Sequence, residues 1–244
     1  MDRPDIVAHR GGSAFPENSF AALRYACTLG VEQLEFDVHL TRDGELVIIH
    51  DADLDQTTQA CGPVRALTLA ELKAVRLRGV DEGVPAFDDV MAFLATQPIH
   101  VRIEVKCAPG PGVYEAVHAL VSRTLARHTM RERATVMAFD VAALPPFSRD
   151  GVNTSRSWMR QGAGTIQQFD EMLRETAALG VDDVGLPFGH TSAAMLERVA
   201  AHGLTAGVWT VNDAARLDYW LGMPVAYIIT DQPELGRDLR SAMR

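Results

Sequence analysis

Residues 33–40 read Gln-Leu-Glu-Phe-Asp-Val-His-Leu, and apolar and polar side chains alternate without interruption after the first residue. Side chains of a β-strand point to opposite faces in turn, so the four apolar residues share one face and Glu35, Asp37 and His39 share the other. The apolar face is suited to packing under helices. The other face carries two carboxylates into the interior of the protein. Burying them there is costly unless a cation neutralises them.

Residues 100–106, His-Val-Arg-Ile-Glu-Val-Lys, repeat this alternation. The apolar side chains again share the outer face, while Arg102, Glu104 and Lys106 share the inner one. The interior of a parallel barrel is normally filled by bulky aliphatic side chains. The two runs therefore predict a polar cluster between neighbouring strands.

Short β-type runs alternate with helical stretches along the whole chain of 244 residues, which is the size of one large barrel domain. The predicted strands are residues 6–9, 33–40, 100–106, 134–139, 152–157, 183–187, 206–211 and 226–230. The clearest predicted helices are residues 19–29, 114–127, 167–179, 193–201 and 214–221. About eight strands in strict alternation with helices predict a (β/α)8 TIM barrel rather than an open sheet.

The connection between the second and third predicted strands is about sixty residues long, more than one crossover needs. Residues 46–50 are expected to extend or return the second strand, and a capping box at Thr68 predicts a short helix. Residues 87–94 then supply the crossover helix. We predict a single domain over residues 1–244, with an insertion over roughly residues 51–85 that covers the barrel mouth and contributes to substrate selection.

The inward carboxylates of Glu35, Asp37 and Glu104 offer oxygen ligands from two adjacent strands. Such a set suits one hard divalent cation, Mg²⁺ or Ca²⁺, and the lack of sulfur or imidazole ligands disfavours zinc. The alternative is a buried salt-bridge network in which Arg102 and Lys106 neutralise the carboxylates. The pattern of these two strands leaves both interpretations open.

Two histidines end apolar runs: His9 follows Ile-Val-Ala, and His50 follows Leu-Val-Ile-Ile. Barrel enzymes keep their active sites at the carboxyl ends of the strands, and imidazoles near neutral pKa transfer protons to and from ester oxygens. We predict that these two histidines form a catalytic pair, in which Asp51 either orients His50 or caps a loop. The other histidines, including His39, are interpreted as surface or packing residues.

Arg10 and Lys106 bring positive charge to the same mouth, where phosphate oxygens would lie. The two glycines that follow Arg10 are expected to let backbone approach the ligand, and Asn18 is expected to cap the first helix. Trp209 is either at the mouth or packed under a helix. Two histidines, three carboxylates and two cations at one place suit metal-assisted cleavage of a phosphodiester.

The net charge and the cysteine content limit the classes of molecule that the protein is expected to bind. The formal net charge of −9 argues against nucleic acid and against an anionic membrane surface, without excluding a small anionic substrate. Cys27, Cys61 and Cys107 include no close pair, as in a reduced protein. The first strand follows Met1 closely, and no apolar run nears the roughly 20 residues of a membrane span. We expect a cytoplasmic protein without stable membrane association, and make no prediction of its oligomeric state.

These motifs together resemble the glycerophosphodiester phosphodiesterase family, within the phospholipase-C-like TIM-barrel phosphodiesterases. The matching motifs, in family order, are His9-Arg10-Gly11, Pro16-Glu17-Asn18-Ser19, Glu35-Phe36-Asp37-Val38, Thr41-Arg42-Asp43-Gly44, Val47-Ile48-Ile49-His50-Asp51, Glu104-Val105-Lys106, Val208-Trp209-Thr210-Val211-Asn212 and Thr230-Asp231-Gln232-Pro233. Residues 55–58 and 84–88 depart from the family pattern, so the resemblance does not imply a particular head group. The catalytic positions are intact.

The resemblance implies hydrolysis of glycerophosphodiesters to glycerol 3-phosphate and an alcohol such as choline or ethanolamine, directly or through a cyclic phosphate. The roles it implies are catalytic for His9 and His50, substrate-binding for Arg10, Lys106 and Trp209, and metal-binding for Glu35, Asp37 and Glu104. One divalent cation, Mg²⁺ or Ca²⁺, is the implied cofactor. The alternatives are a lysophospholipase D-like or sphingomyelinase D-like lipid phosphodiesterase, or a barrel that binds a phosphorylated ligand without cleaving it.

Overall fold

A closed ring of parallel strands forms the centre of the molecule. The computed structural model describes residues 3–106, 110, 112–158 and 166–243. The strands are β1 (Asp5–His9), β2 (Gln33–Leu40), β3 (Leu46–Ile48), β4 (His100–Val105), β5 (Ala134–Ala138), β6 (Asn153–Ser157), β7 (Asp183–Pro187), β8 (Thr205–Trp209) and β9 (Tyr227–Thr230). All except β3 pair in parallel, and β1 closes the ring by pairing with both β2 and β9.

Helices connect the strands on the outside of the ring. They are α1 (Phe20–Thr28), α2 (Leu69–Ala74), α3 (Phe87–Leu94), α4 (Val113–Arg127), α5 (Pro145–Arg149), α6 (Ile166–Ala178), α7 (Ala193–Ala201), α8 (Ala214–Leu221) and α9 (Pro233–Ala242). The predicted (β/α)8 TIM barrel is confirmed: α7 and α8 occupy their predicted ranges, and the bounds of α1, α4 and α6 shift by one residue.

The apolar faces of the strands form the core beneath these helices. Phe36 of β2, Ile103 of β4 and Val136 of β5 are fully buried between the barrel and the helical layer. Burying one such side chain contributes on the order of 1.5–3 kcal/mol. Because strand side chains alternate, this packing commits the remaining side chains of β2 and β4 to the barrel interior.

His50 reaches the mouth on a segment that returns along β2. β3 is not a barrel strand; it returns antiparallel along the end of β2, with Val38 opposite Ile48. The Ile49 N–H donates to the Asp37 carbonyl oxygen at 3.1 Å, so the chain comes back to the level of Asp37 before His50 begins. The prediction that residues 46–50 return the second strand is therefore confirmed.

The segment after β3 packs around a small hydrophobic cluster of its own. The predicted capping box is present at the start of α2, where Thr68 accepts from the Glu71 N–H and Glu71 accepts from the Thr68 N–H. The buried residues of the cluster are Val47, Ile49, Leu54, Val64, Leu72, Leu77 and Val84. This cluster supports the backbone that carries His50.

A polar layer fills the barrel interior below its mouth. Arg102 of β4 pairs with Asp183 of β7, with 3.2 Å between Nη2 and Oδ2, and its guanidinium lies 3.5 Å from the centre of the Tyr227 ring. The hydroxyls of Ser155 and Tyr227 both donate to Asp183 Oδ1. Gly207 makes room for this ring, because a Cβ at that position would lie 2.0 Å from it.

The sequence predicts no membrane-spanning segment and no disulfide bonds. Among the helices of the described residues, none combines the length and apolar character that a membrane-spanning helix needs. Cys27 and Cys61 are free thiols, while Cys107 lies outside the described residues. The cytoplasmic location stays a prediction.

Candidate active site

Three buried carboxylates converge at the carboxyl ends of β2 and β4. Asp37 and Glu104 are register partners in the β2–β4 pairing, and Glu35 lies one inward position below Asp37. One oxygen from each of the three side chains lies within 4.8 Å of the others. The structure thus brings together the carboxylates predicted from strand alternation.

Two cations lie against this carboxylate cluster without balancing it. Lys106 Nζ is 2.6 Å from Glu104 Oε1 and 3.5 Å from Asp37 Oδ1. Arg10 Nε is 3.3 Å from Asp37 Oδ2, and its backbone N–H donates to Glu35 Oε2 at 3.1 Å. Glu35 Oε1 is buried and has no hydrogen-bond donor among the described residues.

The pKa values of the cluster reflect this imbalance. Burial, together with the neighbouring Asp37 carboxylate, raises the pKa of Glu35 to about 8. Burial also acts to raise the pKa of Asp37, but Lys106, Arg10 and a hydrogen bond from Asn18 outweigh it and lower the pKa. Burial and Asp37 raise the pKa of Glu104. The protein's own cations therefore hold one carboxylate ionised and leave the other two short of positive charge.

Of the two cations in the salt-bridge alternative, the structure places one beside the carboxylates and the other elsewhere. Lys106 joins the carboxylate cluster, but Arg102 turns to Asp183 in the layer below and has no contact with Glu35 or Asp37 among the described hydrogen bonds and ion pairs. Arg10, which the alternative did not include, is the second cation. Since Arg10 also makes two hydrogen bonds to Glu17, at 2.9 and 3.0 Å, its charge is shared.

The segment after β1 differs from the prediction at Asn18. The N-cap of α1 is Ser19, whose hydroxyl accepts from the Ala22 N–H, so the expectation that Asn18 caps this helix is wrong. Asn18 is buried and donates to Asp37 Oδ2 at 2.8 Å. Gly11 packs closely against α1, because its φ is +89° and a Cβ would lie 2.7 Å from Ala22. The expectation that the two glycines let backbone approach a ligand stays a prediction.

His9 is held by a carboxylate from the far end of the chain. Its Nδ1 lies 2.6 Å from Asp231 Oδ1, and Asn212 fixes Asp231 by donating to Oδ2 at 2.6 Å and accepting from its N–H at 2.9 Å. Burial acts to lower the pKa of His9, but the Asp231 hydrogen bond and the nearby Glu35 outweigh it and raise the pKa. His9 Nε2 faces the carboxylate cluster, 3.9 Å from Glu35 Oε2.

His50 has a similar arrangement built from nearby residues. Its Nδ1 lies 2.7 Å from Asp51 Oδ1, which favours the orienting role for Asp51 over loop capping. His39 Nε2–H donates to the His50 carbonyl oxygen at 2.9 Å. His39 is therefore more than a packing residue: it is buried and fixes the backbone that carries His50.

A cavity of about 200 Å³ opens between these groups, and its lining has two unlike halves. One half is charged and contains both histidines, both cations and the carboxylates Glu35 and Glu104. The other half is largely apolar and is lined by Met137, Phe139, Ser157, Trp209, Thr210 and Ile229. Trp209 is thus at the mouth, where its ring meets Phe139 edge-on at 5.6 Å.

Several residues of this site escaped the sequence-based interpretation. Asp231 and Asn212 belong to motifs that resemble those of the family, but nothing in their own segments links them to His9. Phe139 and Ser157 end predicted strands, which is the one signal that places them at the mouth. Phe139 and Ser157 come to lie in one cavity with His9 and Lys106 only when the ring of strands closes.

The fold and this site together define the class of the protein. Barrel enzymes hold their reacting groups at the mouth formed by the carboxyl ends of the strands, and the predicted site residues line the cavity at this mouth or belong to the carboxylate cluster beside it. Two histidines beside cations and a carboxylate cluster suit hydrolysis of a phosphate ester. The chain is a TIM-barrel hydrolase.

Comparison with known proteins gives the particular family. The model of the Glycerophosphoryl diester phosphodiesterase family matches residues 9–235, so the chain belongs to this family and is an enzyme of its type. A glycerophosphodiester phosphodiesterase of Caldanaerobacter subterraneus is 27% identical over 94% of this chain and 94% of its own.

Solved structures agree with the fold. A glycerophosphodiester phosphodiesterase from Parabacteroides distasonis matches with a TM-score of 0.85 and 24% identity, over 100% of both chains. An Oleispira antarctica phosphodiesterase, solved in complex with its product sn-glycerol 3-phosphate, matches with a TM-score of 0.83 and 23% identity over 98% of both chains. At this level of identity the likeness concerns the barrel itself.

Proposed function

We propose that this enzyme hydrolyses glycerophosphodiesters to glycerol 3-phosphate and an alcohol, with His9 and His50 as the acid–base pair. The observation that carries the proposal is the position of two aspartate-backed histidines beside three carboxylates that two cations fail to neutralise. The Oleispira phosphodiesterase, whose product is sn-glycerol 3-phosphate, supports the choice of substrate class. A small glycerophosphodiester is the proposed partner.

The residues present fit one divalent cation. Glu35, Asp37 and Glu104 supply hard oxygen ligands, and the undonated Oε1 of Glu35 leaves ligand capacity unused. We propose Mg²⁺ or Ca²⁺ at this position, as the family resemblance implies. When bound, such an ion supplies positive charge to the phosphoryl oxygens.

The side chains divide the remaining work. Arg10 and Lys106 lie on the two sides of Asp37 and are proposed to bind the phosphoryl oxygens between them. One histidine takes the proton of the attacking hydroxyl, and the other gives a proton to the leaving alkoxide as its bond to phosphorus breaks. Asp231 and Asp51 keep a proton on Nδ1 of each ring, which leaves Nε2 to exchange protons with the substrate.

This pair serves either nucleophile. Direct attack by water yields glycerol 3-phosphate at once, whereas attack by the neighbouring glycerol hydroxyl yields a cyclic phosphate that water then opens. The two routes place the same demand on His9 and His50. The domain limits stay a proposal as well: one barrel over residues 1–244, with the insertion at roughly residues 51–85 beside the mouth.

The proposed function is tested by incubating the protein with glycerophosphocholine and measuring glycerol 3-phosphate. His9→Ala and His50→Ala should each lower kcat by about 10²- to 10⁴-fold without loss of folded structure. His190→Ala, which removes an exposed histidine, is the matched control. Turnover at the wild-type rate in either site variant would contradict the role given to that histidine.

The metal proposal has its own measurement. Chelation should abolish turnover, and Mg²⁺ or Ca²⁺ should restore it and raise the melting temperature of the wild type but not of a Glu104→Gln variant. Full activity after exhaustive chelation would rule out the three-carboxylate site. Lysophosphatidylcholine, tested beside glycerophosphocholine, separates the lipid phosphodiesterase alternative, and a lack of any product would favour a binding-only barrel.

A further inference from the structure

The side chain of Asn18 is buried beside the carboxylate cluster, and both ends of its amide bond Asp37. Its Nδ2–H donates to Asp37 Oδ2 at 2.8 Å, and its Oδ1 accepts from the Asp37 backbone N–H at 3.4 Å. A side-chain amide offers donors and an acceptor, which is why one residue can make both bonds. Because one bond reaches the backbone of Asp37 and the other its carboxylate, together they limit rotation of the Asp37 side chain.

The backbone of Asn18 links the same carboxylate to the segment that carries Arg10. The Asn18 N–H donates to the Arg10 carbonyl oxygen at 2.9 Å. The φ angle of Asn18 is +57°, in the left-handed region, where asparagine is several-fold enriched among non-glycine residues. Asn18 is therefore suited to this turn, and it holds the Arg10 segment against β2, the strand of Asp37.

The two oxygens of the Asp37 carboxylate differ as a result. Oδ2 accepts the hydrogen bond from Asn18, and Arg10 Nε lies 3.3 Å from it. Oδ1 is buried and accepts no hydrogen bond from the residues that the structure describes, although Lys106 Nζ lies 3.5 Å away. Most buried side-chain polar atoms have at least one hydrogen-bond partner. Oδ1 thus keeps capacity for a ligand, whereas Oδ2 is already occupied.

Helix capping does not account for the side chain of Asn18. The hydroxyl of Ser19 caps α1 by accepting from the Ala22 N–H at 3.0 Å. Within the described part of the chain, the side-chain hydrogen bonds of Asn18 go to Asp37. Carboxylates that bind metal ions are themselves commonly held by hydrogen bonds of this kind, which fix their orientation. The contacts of Asn18 therefore match those of a residue that orients a metal-binding carboxylate.

We propose that Asn18 is a positioning residue, which keeps Oδ2 of Asp37 occupied and so presents Oδ1 to the divalent cation. This inference rests on the proposed function, because it takes Glu35, Asp37 and Glu104 as the cation site. Asn18 acts through Asp37 and is not itself a ligand. Its loss should leave the three carboxylates in place but weaken their hold on the cation, since Asp37 is then free to turn.

Cation binding in the absence of substrate tests the proposal. Calorimetric titration with Mg²⁺ or Ca²⁺ gives the Kd of the wild type and of Asn18→Gly, which removes the amide and keeps a residue that adopts positive φ readily. Asn18→Gly should raise this Kd about 10- to 100-fold, and the cation concentration for half-maximal turnover should rise by the same factor. Thr129→Gly, at an exposed position after α4 with a φ of +56°, is the matched control and should keep the wild-type Kd.

The outcomes separate this inference from the function on which it rests. A wild-type Kd in folded Asn18→Gly would overturn the role given to Asn18 and leave the cation site intact. A wild type that binds neither cation would overturn the cation site itself, and the role of Asn18 with it.

Nuclear magnetic resonance of the wild type tests the two oxygens without depending on the folding of Asn18→Gly. The chain contains three asparagines, Asn18, Asn153 and Asn212, so selective ¹⁵N labelling gives three side-chain amide signals. Asn153→Ser and Asn212→Ser identify the Asn18 signal by elimination. On cation binding this signal should shift while its protons still exchange slowly with solvent, because Oδ2 keeps its hydrogen bond. Rapid exchange in the cation-bound protein would show that Asn18 has released Oδ2, and would overturn the proposal.

Discussion

The barrel contains two buried layers of charged side chains. In the lower layer the carboxylate is fully paired, whereas in the upper layer the carboxylates outnumber the cations. In the lower layer Arg102 meets Asp183, and both Asp183 oxygens accept hydrogen bonds, from Ser155 and Tyr227 on one side and Arg102 on the other. In the upper layer Glu35, Asp37 and Glu104 share Arg10 and Lys106, and Glu35 Oε1 has no donor within the described part of the chain.

This difference indicates that the lower layer stabilises the fold and that the upper layer is arranged to bind a ligand. A buried ion pair whose carboxylate oxygens both accept hydrogen bonds holds elements together, and breaking it is costly. A cluster with surplus negative charge is destabilising by itself and persists where a ligand completes it. The two layers lie on the same strands, so strand position alone does not distinguish them. The following predictions test this contrast from the largest expected effect to the smallest.

Removal of Asp183 should have the greatest effect on stability. Asp183→Ala leaves Arg102 buried without its partner carboxylate, which should lower the free energy of unfolding by about 3–5 kcal/mol. Urea unfolding measures the change. Asp182→Ala, at the exposed neighbouring position, removes hydrogen bonds to Thr154 and should cost about 1 kcal/mol. Equal losses at the two positions would remove the distinction drawn for the lower layer.

The lower layer should also give stability a pH dependence through His100. Burial, and the nearby Arg102, lower the pKa of His100 to about 4. Below pH 6.5 the unfolded chain binds a proton that the folded protein accepts only near pH 4, so stability falls as pH decreases across this window. The loss approaches about 3 kcal/mol at its lower end.

His100→Gln should flatten the dependence of unfolding free energy on pH between 6.5 and 4. Chemical denaturation at several pH values provides the measurement, with His190→Gln as a control for loss of an exposed histidine. An unchanged slope in His100→Gln would show that other groups dominate the acid instability.

In the upper layer, loss of an orienting group should affect rate rather than stability. Asp231→Asn weakens the hold on the His9 ring and should lower kcat about 10- to 100-fold while KM changes by less than about 3-fold. Asp213→Asn is the nearby control, because Asp213 caps α8 and asparagine caps equally well. A rise in KM at constant kcat would instead assign Asp231 to substrate binding.

The smallest effect has the opposite sign to that of Asp183→Ala. Glu35→Gln removes a carboxyl group whose pKa is about 8, so at about pH 9, where the wild-type group is ionised, it should raise the free energy of unfolding by about 1–2 kcal/mol in the presence of a chelator. The same variant should lose activity. Denaturant unfolding in chelator decides the point, and a destabilised Glu35→Gln would show that the carboxylates of the upper layer are balanced after all.

The contrast also shows where sequence reasoning reached the site and where it did not. Strand alternation placed Glu35, Asp37, Glu104 and Lys106 on inward faces, because that property depends only on neighbouring residues. The same rule placed Arg102 inward, but the salt-bridge alternative paired it with the carboxylates of the upper layer. Its actual partner, Asp183, is 81 residues away on a strand across the ring. The sequence alone does not distinguish Asn18 from Ser19, the actual helix cap, because the two residues are adjacent and both cap helices well.

Local patterns in the sequence were enough to predict the barrel, the carboxylate cluster and the place of both histidines at the barrel mouth, because periodicity, turns and strand ends are properties of short segments. Only the tertiary structure decided which charges are neutralised and which remain open to a ligand. His9 meets Asp231 across 222 residues, and the Ser157 hydroxyl on the cavity wall has no hydrogen-bond partner in the described part of the chain. These relations arise when the ring closes, and ring closure is a property of the whole chain.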